Sequence, residues 1–160
     1  MISDEANIRD LEAENLRLKA EVNRLRGKLE DFTNQDRYGF VLQNAYDAVI
    51  ITDSDLTITL WNKSAERIFG WKAEEVIGLK TTDITKTDYP NVGREEVRKI
   101  LEEKGVWEGE ALDRSKNGEI IVTHLSALKL TDSSGNHIGY ATINRDVTRQ
   151  RALEKELKHR

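Results

Sequence analysis

The chain has 160 residues, with 25 Lys and Arg against 29 Asp and Glu, a formal net charge of −4 and no cysteine. That length carries one domain and an appendage around one ordinary core. The missing thiol excludes disulfides, thiolate zinc and iron–sulfur sites, cysteine nucleophiles and covalently attached haem, and it excludes flavin photochemistry that proceeds through a cysteine adduct. The acidic balance offers no field for nucleic acid, and no apolar run approaches the roughly 20 residues of a membrane span. The opening Met1-Ile2-Ser3-Asp4-Glu5 lacks a secretory pattern. The expectation is a cytoplasmic chain with no membrane segment and no nucleic-acid partner.

Residues 1–34 read as a coiled-coil dimerisation helix. Ile8, Asn15, Val22 and Leu29 fall at heptad a positions, and Leu11, Leu18, Leu25 and Phe32 at d. β-Branched residues at a with Leu at d favour a parallel two-stranded coil, and one Asn at a fixes register at some cost in stability. Glu14 at g then faces Lys19 at e of the second helix, and Glu21 faces Arg26. Such pairs bias orientation more than stability. A stripe this narrow is a coiled-coil seam rather than the broad face of a helix packed on its own domain. A basic zipper is excluded, because no Lys/Arg-rich helix precedes it. The heptad stops after Phe32, and a shorter helix carrying Tyr38, Val41, Leu42, Ala45 and Tyr46 is expected next.

From Asp47 the apolar period becomes two. Val49 and Ile51 alternate with Ile50, Ser54-Asp55 turns the chain, and Leu56, Ile58 and Leu60 form a second strand ending at Trp61. Asn62 is placed to cap a short helix that ends at Gly70. A second helical piece runs from Trp71 to Ile77, and the polar stretch Thr81 to Asn91 reads as a loop. Gly93 to Lys104 reads as a helix. Strands Trp107–Arg114, Glu119–Leu130 and Ile138–Val147 follow, joined by Lys116-Asn117-Gly118 and Ser133-Ser134-Gly135-Asn136 turns. Residues 149–160 read as a charged linker helix, with Leu153 and Leu157 four apart.

This order of elements resembles the PAS domain family, in its bacterial and archaeal signalling form. The matching stretches are Ile51-Thr52-Asp53, Trp61 through Trp71, Glu74-Glu75-Val76-Ile77-Gly78, Trp107-Glu108-Gly109, Asn117-Gly118 and Arg145-Asp146-Val147-Thr148. Together they are specific, whereas each alone is weak. The resemblance implies an α+β fold over residues 35–148: a five-stranded antiparallel sheet with short helices on one face, and a pocket between them. It also implies that flanking helices carry the signal.

For the pocket, the resemblance points to Thr123, Asn144, Thr142 and Trp107. Gly109, Ala111 and Ala127 are the small inward neighbours that leave room. Thr123 and Asn144 match flavin-contact positions of the light-oxygen-voltage subgroup, whose cysteine slot falls near Thr81. The polar groups either hold a ligand or satisfy one another, backbone or water. The cofactor is unassigned. Flavin or a small metabolite fits better than haem: the resemblance implies a haem-ligating histidine on the helix Gly93–Lys104, which has none, and matching to the family puts His124 on the opposite face. No metal site is expected.

Asp146 and Thr148, where sheet becomes helix, are expected to cap the outgoing helix, supply a salt bridge and transfer signal. No Walker loop, nucleophile elbow, zincin or kinase motif is present, so a non-enzymatic chain is expected. The expected function is a sensory or signal-relay module. It homodimerises through its coiled coil and passes a stimulus through its last strand to an output domain such as a histidine kinase. The alternatives are a ligand-free dimerisation module, or a haem- or flavin-binding redox or gas receptor.

Overall fold

A computed structural model describes the backbone of residues 2–159 and the side chains of residues 4–26, 42, 43 and 45–159. The side chains of Leu29 and Phe32 lie outside the described residues. Two compact units are present, Met1–Val41 and Leu42–Arg160.

The first unit is carried by α1 (Ile2–Asn44), a helix of 43 residues and about 65 Å in length at the usual rise. The break expected after Phe32 is absent. Gly39 costs a helix only about 1 kcal/mol relative to Ala, and no proline interrupts the segment. The side chains of Ile8, Leu11, Leu18, Val22 and Leu25 are between 51% and 68% exposed, and Asn15 is exposed among them. The single chain therefore leaves its apolar seam uncovered. Glu14 pairs with Arg17 and Glu21 with Arg24 within the helix.

The second unit follows the order β1 (Ala48–Asp53), β2 (Ile58–Trp61), α2 (Lys63–Phe69), α3 (Ala73–Val76), α4 (Thr81–Ile84), α5 (Arg94–Lys104), β3 (Val106–Arg114), β4 (Ile120–Thr131), β5 (His137–Asp146) and α6 (Thr148–Lys158). The strands form one antiparallel sheet in the order β2-β1-β5-β4-β3. β5 is thus central although it comes last in the chain.

Asn62 organises the β2–α2 corner. Its Oδ1 accepts from the N–H groups of Ala65 and Val49, and its Nδ2 donates to the carbonyls of Leu42 and Asp47. One buried amide therefore caps α2 and pins the start of β1, satisfying groups that burial would otherwise leave orphaned. Gly70 ends α2 in the left-handed conformation.

Two expected boundaries shift. Leu56 belongs to the hairpin turn rather than to β2, with φ of 67°. Asp53 causes this, since its Oδ1 accepts from the N–H groups of Asp55 and Thr57 and so winds the chain tightly. The stretch Thr81–Asn91 contains one helical turn, α4, anchored by buried Ile84.

The sheet's inner face buries two apolar clusters. One gathers Ile50, Ile58, Trp61, Phe69, Val76 and Ile121 under α2 and α3. The other gathers Val97, Trp107, Ala111, Leu125 and Ala127 under α5. Along β4, Ile121 belongs to the first cluster and Leu125 to the second, with Thr123 on the same face between them. Gly139 sets how closely β5 approaches β1: a Cβ there would stand 2.0 Å from the Thr52 carbonyl oxygen. Only glycine permits that pairing, on which the phase of every later β5 residue depends.

Candidate functional site

A cavity of about 450 Å³ lies between the inner sheet face, α5 and the segment leading into it. This is within the range of small-ligand pockets. Ile50 and Thr52 of β1, Leu125 and Ala127 of β4, and Tyr140, Thr142 and Asn144 of β5 line the sheet side. Val97, Arg98 and Leu101 face them from α5, and Thr81, Thr85, Thr87 and Tyr89 complete the wall. The apolar lining comes from Ile50 of β1, from Leu56 and from the period-two and period-3.6 faces of β4 and α5. The polar lining comes mainly from β5 and the threonine-rich segment.

The expected pocket residues separate. Thr142 and Asn144 line the cavity, together with the small Ala127. Thr123 is fully buried behind the lining, its hydroxyl donating to Asp113 Oδ2 at 2.8 Å. Trp107 is also outside the lining. Its ring packs edge-on against Tyr89, with centroids 5.2 Å apart. It also fills the space that Gly109 was expected to leave open, since a Cβ on Gly109 would meet the Trp107 ring at 2.7 Å. His124 is on the outer face, where its Nε2 lies 2.6 Å from a Glu108 carboxylate oxygen.

Behind the cavity wall sits a carboxylate that sequence reading passed over. Asp113 is 1% exposed. Thr87 donates to its Oδ1 at 2.5 Å, Thr123 donates to its Oδ2, and the Asn144 amide N–H faces it as a third donor. Among the described residues no cation pairs with it. Burial raises its pKa above the ordinary carboxylate value, and the three hydrogen bonds only partly oppose that. Burial also raises the Tyr89 phenol, with the Asp113 charge adding to it and Arg94 opposing it. Asn144 is 2% exposed, and its Oδ1 has no hydrogen-bond partner.

His137 and Tyr140 are cavity residues that sequence reading also missed. Their rings meet edge-on with centroids 4.6 Å apart, and His137 Nε2 lies 3.0 Å from the Gly139 carbonyl oxygen. Counting back by twos from Asn144 finds Tyr140. It misses His137, because the β4–β5 register shifts between Leu130 and Thr131. Among the described residues no group of three or more His, Asp or Glu is placed to hold a metal.

At the far end of β5, Thr148 donates from its N–H and its hydroxyl to Asp146 Oδ1, at 3.0 and 2.6 Å. The Val122 N–H donates to Thr148 Oγ1, and the Val147 N–H donates to the Val122 carbonyl. Asp146, rather than Thr148, thus receives the free N–H at the start of α6, and the Thr148 hydroxyl ties that start to β4. The expected ion pair at Asp146 is absent among the described residues. Arg151 supplies one instead, bridging Glu110 of β3 and Glu154 of α6. No residue of α6 is buried; its first turn is tied to Asp146 and β4, and Arg151 pairs it with β3.

The raised Asp113 pKa has a definite sign. Between the ordinary carboxylate value and the folded one, the native state binds more protons than the unfolded chain, so stability falls as pH rises through that window. Denaturant titrations across pH are expected to show this fall, by up to about 1.4 kcal/mol per pH unit, in the wild type and not in Asp113→Asn. Parallel curves for the two proteins would remove Asp113 as its source.

Residues 36–147 match the PAS fold family. The chain is 25% identical over 130 residues to the probable diguanylate cyclase DgcE of Escherichia coli (strain K12), an alignment covering 80% of this chain and 12% of that protein. The PAS domain of a protein from Colwellia psychrerythraea superposes with a TM-score of 0.63 at 25% identity, covering 72% of this chain and 98% of that one. An RNA-binding light-oxygen-voltage receptor gives 0.62 at 17% identity, covering 78% and 36%. A PAS domain from a two-component sensor histidine kinase gives 0.60 at 16%, covering 72% and 98%. The chain therefore belongs to the PAS fold family, and the sheet, short helices and cavity described above are its PAS sensory fold.

Proposed function

We propose that this chain is a cytoplasmic sensory and signal-relay module that homodimerises through α1 and drives an output domain through α6. The observation that carries the reading is the continuity of β5. Thr142 and Asn144 line the cavity, and two residues later Asp146 enters the clamp that holds the first turn of α6. A ligand that shifts Asn144 displaces the strand that positions Asp146, and α6 has no buried side chain to resist. The module is read as non-enzymatic, its stimulus converted to chemistry elsewhere. The output is a separate domain such as a histidine kinase. The likeness to a probable diguanylate cyclase supports a nucleotide cyclase as a second type of output.

The dimer reading rests on the uncovered stripe of α1. A helix in water does not keep an apolar seam over several heptads without a partner surface, and β-branched a positions with Leu at d fit a parallel pair. Residues 1–34 would then be the dimerisation segment, 35–148 the sensor and 149–160 the outgoing linker. Of the cofactors considered, flavin finds Asn144 in the cavity wall, while the hydroxyl of Thr123 is turned to Asp113. A colourless metabolite is therefore the better fit. Haem lacks a ligand on α5.

Two outcomes are expected. Sedimentation of Leu18→Lys gives a monomer where the wild type gives a dimer; an unchanged mass would remove the seam as the dimer contact. Asp146→Ala speeds hydrogen exchange in the first turn of α6 by about tenfold, the loss of a charge-assisted cap, while β4 and β5 keep their protection. Equal loss throughout the sheet would mark a folding defect rather than a severed joint.

A further inference from the structure

We propose that the cavity selects a ligand carrying an N–H or O–H donor for Asn144 Oδ1, and that ionised Asp113 is the positioning residue that reserves this oxygen for it. The inference rests on reading the cavity as a ligand site and goes on to state the ligand's polarity. The buried cluster of Asp113, Thr87, Thr123 and Asn144 contains more acceptor than donor capacity. Both threonine hydroxyls and one amide N–H are directed at the carboxylate. Asn144 Oδ1 is left without a partner in a residue that is 2% exposed and lines the cavity. A buried acceptor in that state costs stability until a donor reaches it.

Ionised Asp113 accepts only, so the Asn144 amide is held with its nitrogen toward the carboxylate and its oxygen free. A proton on Asp113 changes the match. With the amide turned over, the new O–H supplies the missing donor to Asn144 Oδ1, and a donor ligand then meets the amide N–H instead of an acceptor. Burial favours that proton by raising the carboxyl above its ordinary value, so ligand and proton compete for one amide oxygen. Asp113→Asn mimics the protonated form, since its side-chain N–H donates to the same oxygen.

Other ionisable groups share the space. Tyr89 and Arg94 flank the Asp113 side of the cavity, and Arg98, Glu102, His137 and Tyr140 line the remainder. Their influence cancels in the affinity ratio of two probes with one shape. Indole and benzofuran form such a pair, as do carbazole and dibenzofuran; in each, an N–H donor is replaced by an oxygen acceptor.

The test is an NMR titration of the full ¹⁵N-labelled chain with each probe, following the amides of Ala127 and Thr142. At neutral pH the N–H probe of a pair is expected to bind about tenfold tighter than its oxygen isostere, the value of one buried hydrogen bond. The ratio falls to about one in Asn144→Leu, and to about one or below in Asp113→Asn and in the acidified wild type, so a variant that fails to fold leaves the others to decide. Equal affinities in the wild type, or a preference that survives Asn144→Leu, overturn the donor assignment while the cavity remains a ligand site. Binding of neither probe overturns both the assignment and the reading of the cavity.

Discussion

The structure turns on a carboxylate buried without a counter-ion. Removing a charge from water is costly, and a protein offsets the cost with a cation, with hydrogen bonds or with a proton. Asp113 has two hydroxyls and an amide for this purpose, and among the described residues no cation. Those donors come from β4, β5 and the segment before α5, so the carboxylate cross-links the three elements around the cavity. Its donor Thr123 lies between the two apolar clusters of the sheet's inner face. A leucine there would leave the Thr87, Thr123 and Asn144 donors buried without an acceptor. A polar pivot next to an open cavity suits a module that must respond to what enters it.

β5 runs from the cavity to the start of α6. It is central in the sheet although it is the last strand made, and antiparallel neighbours on both sides lock its register. Gly139 brings it hard against β1, which sets the phase in which Tyr140, Thr142 and Asn144 arrive on the inner face. Asp146 then closes the strand onto Thr148 and Val122. No residue of α6 is buried, so its direction is set mainly where it leaves the sheet.

The parts legible in the sequence were those governed by local chemistry. Asn62 announces a cap, Gly70 and Gly105 end helices in the left-handed conformation, and the Asn-Gly and Ser-Gly turns mark hairpins. Heptad spacing marked a helix at the start of the chain, and the closing Arg145-Asp146-Val147-Thr148 marked where β5 passes into α6. What stayed hidden depended on tertiary contacts. Asp113 shares the parity of Trp107, Gly109 and Ala111, so its inward direction was readable, but an aspartate in a strand is ordinarily assigned to solvent. His137 was hidden by the register shift beside it. Thr123 was assigned to the right face, yet its partner was a carboxylate on the neighbouring strand rather than the cavity. Leu56 looked like a strand residue because nothing local reveals that Asp53 draws it into a turn.

The most direct measurement is a ¹³C NMR titration of the Asp113 carboxyl, followed together with the Asn144 side-chain amide and the Thr148 backbone N–H. Asp113 is expected to titrate above the ordinary carboxylate value, and both reporters to shift with the same midpoint. That result would show one cluster joined through β5 to the start of α6. An Asp113 that titrates normally, or a Thr148 signal indifferent to its proton, would contradict the coupling between cavity and outgoing helix.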